Sequence, residues 1–158
     1  MPLKFDKYAQ KGNQFLNELT EELGVNKEKA GKVLRAFFKA LRNHLTLAEN
    51  FQLLSQLPMA LKGIYVDAWM PTHQQEVSRK KNDFIFEFLQ NQNSKTLGSV
   101  SEVRESEKII IAIFKTLKKY ISQGEFEDME AVLPRQLKEL VKESIYNQKV
   151  TIRLVPQK

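Results

Sequence analysis

Apolar residues recur at helical spacing along most of the chain. Val33, Leu34, Phe37, Phe38, Leu41 and Leu45 follow an i, i+3, i+4, i+7 rhythm, and so do Ile109, Ile110, Ile113, Phe114, Leu117 and Ile121. Each set marks the inward face of an amphipathic helix. Ahead of the first lies a helical stretch from Tyr8 to Leu23 with Phe15, Leu16, Leu19 and Leu23 on one side. It stops at Gly24, a residue that enters left-handed backbone without a Cβ clash. Ahead of the second, Asp83 to Gln90 carries Phe84, Ile85, Phe88 and Leu89, and a polar loop over 91–101 follows. Val150 to Val155 alternates like a strand but has no second strand to pair with, so an extended C-terminal tail packed on helices is expected.

Each long helix runs into a helix-start signature, Thr46-Leu-Ala-Glu49 and Ser122-Gln-Gly-Glu125. In such a box the hydroxyl accepts a backbone N–H while the carboxylate three residues on reaches back to the cap. The short helices that begin there must end before Pro58 and Pro134, because proline suits a first turn and disrupts an interior. Leu57 and Leu133 are expected to be buried at these corners.

The corners match in sequence as well, as Leu57-Pro58-x-x-Leu61-Lys62 and Leu133-Pro134-x-x-Leu137-Lys138. At that offset of 76 residues, ten of the 31 ungapped positions from 32 to 62 are identical, which points to internal repetition. The expected fold is therefore all-α, with two tandem repeated units of about four helices each, packed as one bundle-like domain. The boundaries predicted are 1–72 for the first unit, 73–82 for a linker, 83–147 for the second unit and 148–158 for the tail.

Gly124-Glu125-Phe126-Glu127-Asp128 and the two Leu-Pro-x-x-Leu corners, the first preceded by Gln56, resemble the bacterial family known as domain of unknown function 2267. The first copy departs from the family pattern at Ala48 and Asn50. The resemblance spans roughly Phe15 to Tyr146 and implies an all-α fold of paired helical units. It implies no activity, and no catalytic residue is carried over by it.

Composition removes several function classes. The chain has 158 residues and no cysteine, so thiolate nucleophiles, thiolate metal sites and disulfides are excluded, and a reducing cytoplasm is the natural location. The N-terminus shows no signal-peptide pattern, and the longest dense apolar run, Ile109 to Phe114, is far short of the roughly 20 residues that span a bilayer. A soluble cytoplasmic protein without membrane attachment is expected. The net charge of +6 is spread over both halves and suits solubility as well as an anionic partner.

Four groups carry candidate chemistry. Lys32, Arg35, Lys39 and Arg42 share a helical face, and Lys108, Lys115, Lys118 and Lys119 repeat it. Such stripes could follow a phosphate backbone, although a solvated outer face is the favoured reading. Tyr65, Asp67, Trp69 and Met70, with His73 nearby, have no counterpart in the second copy. They are read first as an anchor for the crossover between units, and otherwise as a partner contact or the lining of a small-molecule pocket between the units. Glu125, Glu127, Asp128 and Glu130 are read as first-turn acids complementing a helix dipole rather than as metal ligands. His44 and His73 stand in no metal-binding spacing. No catalytic, metal or cofactor site is therefore expected. The chain is read as a non-enzymatic module that binds another macromolecule, an unidentified protein, or itself. Nucleic-acid binding is the disfavoured alternative.

Overall fold

A computed structural model describes residues 2–71, 77–92 and 100–146. These residues form eight helices and no strand: α1 (Phe5–Leu23), α2 (Lys27–Asn43), α3 (Leu47–Gln56), α4 (Met59–Val66), α5 (Lys81–Asn91), α6 (Val100–Leu117), α7 (Gln123–Val132) and α8 (Arg135–Tyr146). The all-α expectation holds. The tail from 148 and His73 lie outside the described residues.

Local signals set the helix ends. α1 closes on Gly24, whose φ of 69° is left-handed and whose N–H donates to the Thr20 and Glu21 carbonyls. Asn26 caps α2 by accepting the Lys29 N–H at 2.8 Å. Both expected capping boxes are complete, Thr46 with Glu49 and Ser122 with Glu125. Gly124 does not impair the second. Pro58 is the residue before α4, and its carbonyl accepts the Lys62 N–H at 3.0 Å. Proline thus sits one position before the first turn that spacing suggested, still where its missing N–H costs nothing. α5 begins at Lys81, two residues before the expected boundary. Its N-terminal Lys81 N–H is held by the Gln136 side chain at 3.2 Å.

The buried apolar side chains form one continuous cluster that draws on every helix. Helices of the two halves pack crosswise. α2 lies against α5, α6 lies against α1, and α3 lies directly on α7. Matching positions make matching contacts. The Phe15 ring meets Tyr120 edge-on at 5.7 Å, and the Phe84 ring meets His44 edge-on at the same distance. Glu18 accepts the Tyr120 hydroxyl at 2.6 Å, while Glu87 lies 3.3 Å from the His44 ring. By these contacts α1 corresponds to α5 at an offset of 69 residues, against the sequence offset of 76 between α2 to α4 and α6 to α8. The seven-residue difference falls in the longer connection between α5 and α6.

Leu57 and Leu133 are 4% and 2% exposed, inside the corners that precede α4 and α8. Truncating either to alanine removes buried apolar volume at the α3–α7 seam, so Leu57→Ala and Leu133→Ala should each cost about 2–5 kcal/mol. Pro58→Ala should be mild, because the chain there needs only a helix start. Urea denaturation of the three variants checks this, and a negligible loss in both leucine variants would contradict the packing of the corners.

Candidate functional site

The residues after α4 form a cap over the end of α2. Tyr65 is fully buried, and its hydroxyl donates to Asn50 Oδ1. Asn50, also fully buried, spends its Nδ2 on the carbonyls of Arg42, Leu45 and Thr46 at 3.0–3.2 Å. The Arg42 and Leu45 carbonyls lie at the end of α2, where a helix runs out of internal donors, and the Thr46 carbonyl, which also accepts the Asn50 N–H at 2.9 Å, opens α3. Arg42 donates from Nη1 to the Tyr65 and Asp67 carbonyls at 2.9 and 3.1 Å. The two chain ends, of α2 and of α4, are thereby tied to each other by side chains from α2 and α3.

Trp69 closes this network from outside. Ala68 adopts a left-handed φ of 57°, a conformation that costs a residue with a Cβ on the order of 1 kcal/mol or more. The Trp69 N–H donates back to the Val66 carbonyl at 3.0 Å. This turn lays the half-buried indole across Tyr65 at 6.1 Å and over the Arg42 guanidinium at 6.0 Å. It also lies beside the Phe51 ring at 6.3 Å. Phe51 is 55% exposed and Met70 79% exposed, and Leu47, one turn before Phe51 on α3, is 40% exposed. An apolar face thus lies open to solvent above a polar, hydrogen-bonded base.

Among the described residues, the ring contacts of Trp69 and Tyr65 fold back onto α2 and α3. The described end of the crossover, 77–80, is held by Arg79 and His44. Arg79 reaches Glu49 at 2.7 Å and the Val132 carbonyl at 3.4 Å, so it spans the α3–α7 seam. His44 Nδ1 lies 3.0 Å from the Ser78 carbonyl and Nε2 lies 3.3 Å from Glu87 Oε1. Both neighbours are acceptors, and only the doubly protonated ring satisfies both. Burial disfavours the imidazolium. The Glu87 hydrogen bond, the Ser78 carbonyl and the charges of Glu87 and Asp83 together outweigh it, so the His44 pKa is raised.

The basic stripes are dispersed by their partners. Lys32 pairs with Glu28 at 3.7 Å and Arg35 with Asp67 at 2.9 Å. Lys115 pairs with Glu22 at 3.0 Å and Lys119 with Glu18 at 3.4 Å. Lys118 lies over the Phe126 ring at 5.8 Å. Arg42 leaves the expected outer face altogether, being 8% exposed. Lys39 and Lys108 are exposed. Among the acids, Glu125 caps α7, but Glu130 stands in the last turn of that helix and is buried. Burial raises the Glu130 pKa, which a first-turn dipole role does not explain.

No group of histidine and acidic residues suited to a metal ion occurs among the described residues, and no helix there is long and apolar enough to cross a membrane. A cavity of about 410 Å³ lies between the Leu57-Pro58 corner, α1 and the α6–α7 turn. A second of about 300 Å³ lies between α1, α2 and α4. Trp69 lines neither. Sequence reasoning named Asn50, Arg42 and His44 but missed their roles. The signals for Asn50 were its departure from the family pattern and a polar residue 76 positions before Phe126. The model of a family described as uncharacterized conserved protein, DUF2267, matches residues 12–140. A comparison with curated proteins finds no match.

Two outcomes follow. Asn50→Ala removes the acceptor of the Tyr65 hydroxyl and one donor to each of three carbonyls, and Tyr65→Phe leaves one acceptor short. Each should destabilise by about 1–3 kcal/mol, the first more than the second. A double-mutant cycle by chemical denaturation should show coupling between them. The raised folded-state pKa of His44 contributes stability that is complete below the unfolded value near 6.5 and is lost as pH rises through the folded value. Thermal stability should therefore decline on the alkaline side of pH 6.5, and His44→Asn should flatten that decline. An unchanged slope in the variant would assign the decline elsewhere.

Proposed function

Since the chain belongs to the DUF2267 family, whose description assigns no activity, we propose from its own geometry that it is a non-enzymatic helical module that binds a partner protein through the face of Leu47, Phe51, Trp69 and Met70. The observation that carries this is the exposure of Phe51 and Met70 beside the Phe51–Trp69 contact. Leaving contiguous large apolar side chains in water forgoes hydrophobic stabilisation, and contiguous exposed patches mark contact surfaces. Rigidity supports the same reading. The bonded base under Trp69 preorganises the face, so little conformational entropy is lost when a partner covers it.

We further read the chain as a tandem duplication of one four-helix unit, acting in the bacterial cytoplasm, in keeping with its lack of cysteine. The duplication is supported by the matched crosswise contacts of His44 with Glu87 and Tyr120 with Glu18. A polyanion role has less support, because four cations of the stripes are met by carboxylates and Arg42 is buried.

Affinity capture from the native cytoplasm with wild type, Phe51→Ser/Met70→Ser and a Phe86→Ser control tests the proposal, Phe86 being 41% exposed on α5. A partner held by wild type and control but lost from the double variant is the expected result. Retention by all three would refute the assignment of this face. A mass that rises with concentration by light scattering, and falls back in the double variant, would identify the partner as a second copy.

A further inference from the structure

The cavity between α1, α2 and α4 has a counterpart in the second half, and the two differ in a telling way. With the offsets of 69 and 76, Gly12, Gly31 and Ala60 match Lys81, Glu107 and Gln136. In the second half these three are joined through Lys81, which bonds to the other two. Lys81 Nζ meets Glu107 Oε2 at 3.0 Å, both side chains about three-quarters buried, and the Lys81 N–H meets the Gln136 amide oxygen at 3.2 Å. In the first half the same three positions carry no side chain beyond a methyl group. α1 and α4 approach so closely that a Cβ on Gly12 would stand 2.8 Å from that of Ala60, yet a Cβ on Gly31 would meet nothing within 4 Å. The space at Gly31 is the cavity of about 300 Å³.

Its walls are apolar, formed by Phe15, Leu16, Leu34, Leu61 and Ile64. Among the described residues that line it, Arg35 is the sole charge, and no carboxylate faces it. Arg35 holds Asp67 through Nη1 at 2.9 Å, with both side chains more than half exposed. A bond so exposed is weak and exchanges readily, and a guanidinium has further donors in its fork. We propose that this cavity binds a small amphipathic carboxylate, its apolar body between α1, α2 and α4 and its head on Arg35. The volume is at the small end of ligand pockets, which suits a single short acyl or aryl body. The site is separate from the Phe51–Trp69 face and does not rest on that reading.

Calorimetric titration of the full chain with decanoate and, in parallel, with uncharged decanol tests the proposal. Wild type should bind decanoate saturably with one site. Gly31→Leu occupies the cavity from a position with free space and should fold well, since leucine favours a helix over glycine. It should abolish binding of both probes. Arg35→Gln should weaken decanoate about tenfold, the worth of a charge-assisted bond, and leave decanol unchanged. Absence of saturable binding by wild type, or equal binding by Gly31→Leu, overturns the site. If Gly31→Leu fails a thermal-melt check, the Arg35→Gln comparison decides, and an equal loss for decanoate and decanol overturns the assigned head. Phe51→Ser/Met70→Ser should titrate like wild type, which separates failure of this site from failure of the protein-binding face.

Discussion

The ring of Phe37 on α2 stands edge-on to Phe84 and Phe88 of α5 and to Phe114 of α6, at centroid distances of 5.6–6.1 Å, and touches Phe38 beside it. Burying it requires helices from both ends of the chain. Edge-to-face pairs of this kind add about 0.5–1.5 kcal/mol each beyond the area they bury. Several converge on one residue here. The crosswise seating of α2 on α5, and of α6 on α1, follows from this need, because neither half alone surrounds its own inward stripe. With the long helices crossed in that way, α3 and α7 are left facing each other, and the Leu-Pro corners close the ends. Everything else hangs from that arrangement, including the base under Trp69 and the cavity at Gly31.

Different side chains at positions 76 residues apart distinguish the halves chemically. Where the second half has Phe126 and Val141, the first has Asn50 and Tyr65 bonded to each other. Replacing two apolar groups by a satisfied polar pair is close to neutral in stability, whereas a half-satisfied pair is costly. The polar pair has a geometric effect that its apolar counterpart lacks. It holds the carbonyls at the end of α2 and, through Arg42, those at the end of α4, and so fixes the turn at Ala68 that brings Trp69 out beside Phe51. A left-handed alanine persists only where its surroundings impose it.

Much of the scaffold was legible because it rests on local rules. The period of Val33 to Leu45, the glycine after α1, the two capping boxes and the buried leucines of the corners each depend on a few neighbouring residues. The site was less legible, since its key contacts join residues far apart in sequence. Arg42 shares its spacing with exposed cations, and only the return of α4 onto the end of α2 buries it. Asn50 looks like a surface residue until the carbonyls that it serves are known. His44 aligns with Tyr120 at the offset of 76. Both residues answer a glutamate at the same place, Glu87 or Glu18, and the two pairs are equivalent. The offset of α1 on α5 was hidden by the longer connection after α5, and with it the match of Gly12 to Lys81.

That last match bears on why a glycine pair is kept within two helices. Glycine in a helix interior costs roughly 0.5–1 kcal/mol relative to alanine, and Gly12 repays this by letting α1 approach Ala60 on α4. Gly31 has no such close contact, so packing alone gives no reason for it. The same position in the second half holds Glu107, paired with Lys81 across the junction. An unfilled position beside apolar walls costs stability in two ways, through helix propensity and through lost dispersion contacts. An occupant that fills the space restores the contacts, and Arg35 at its edge gives that occupant an orientation.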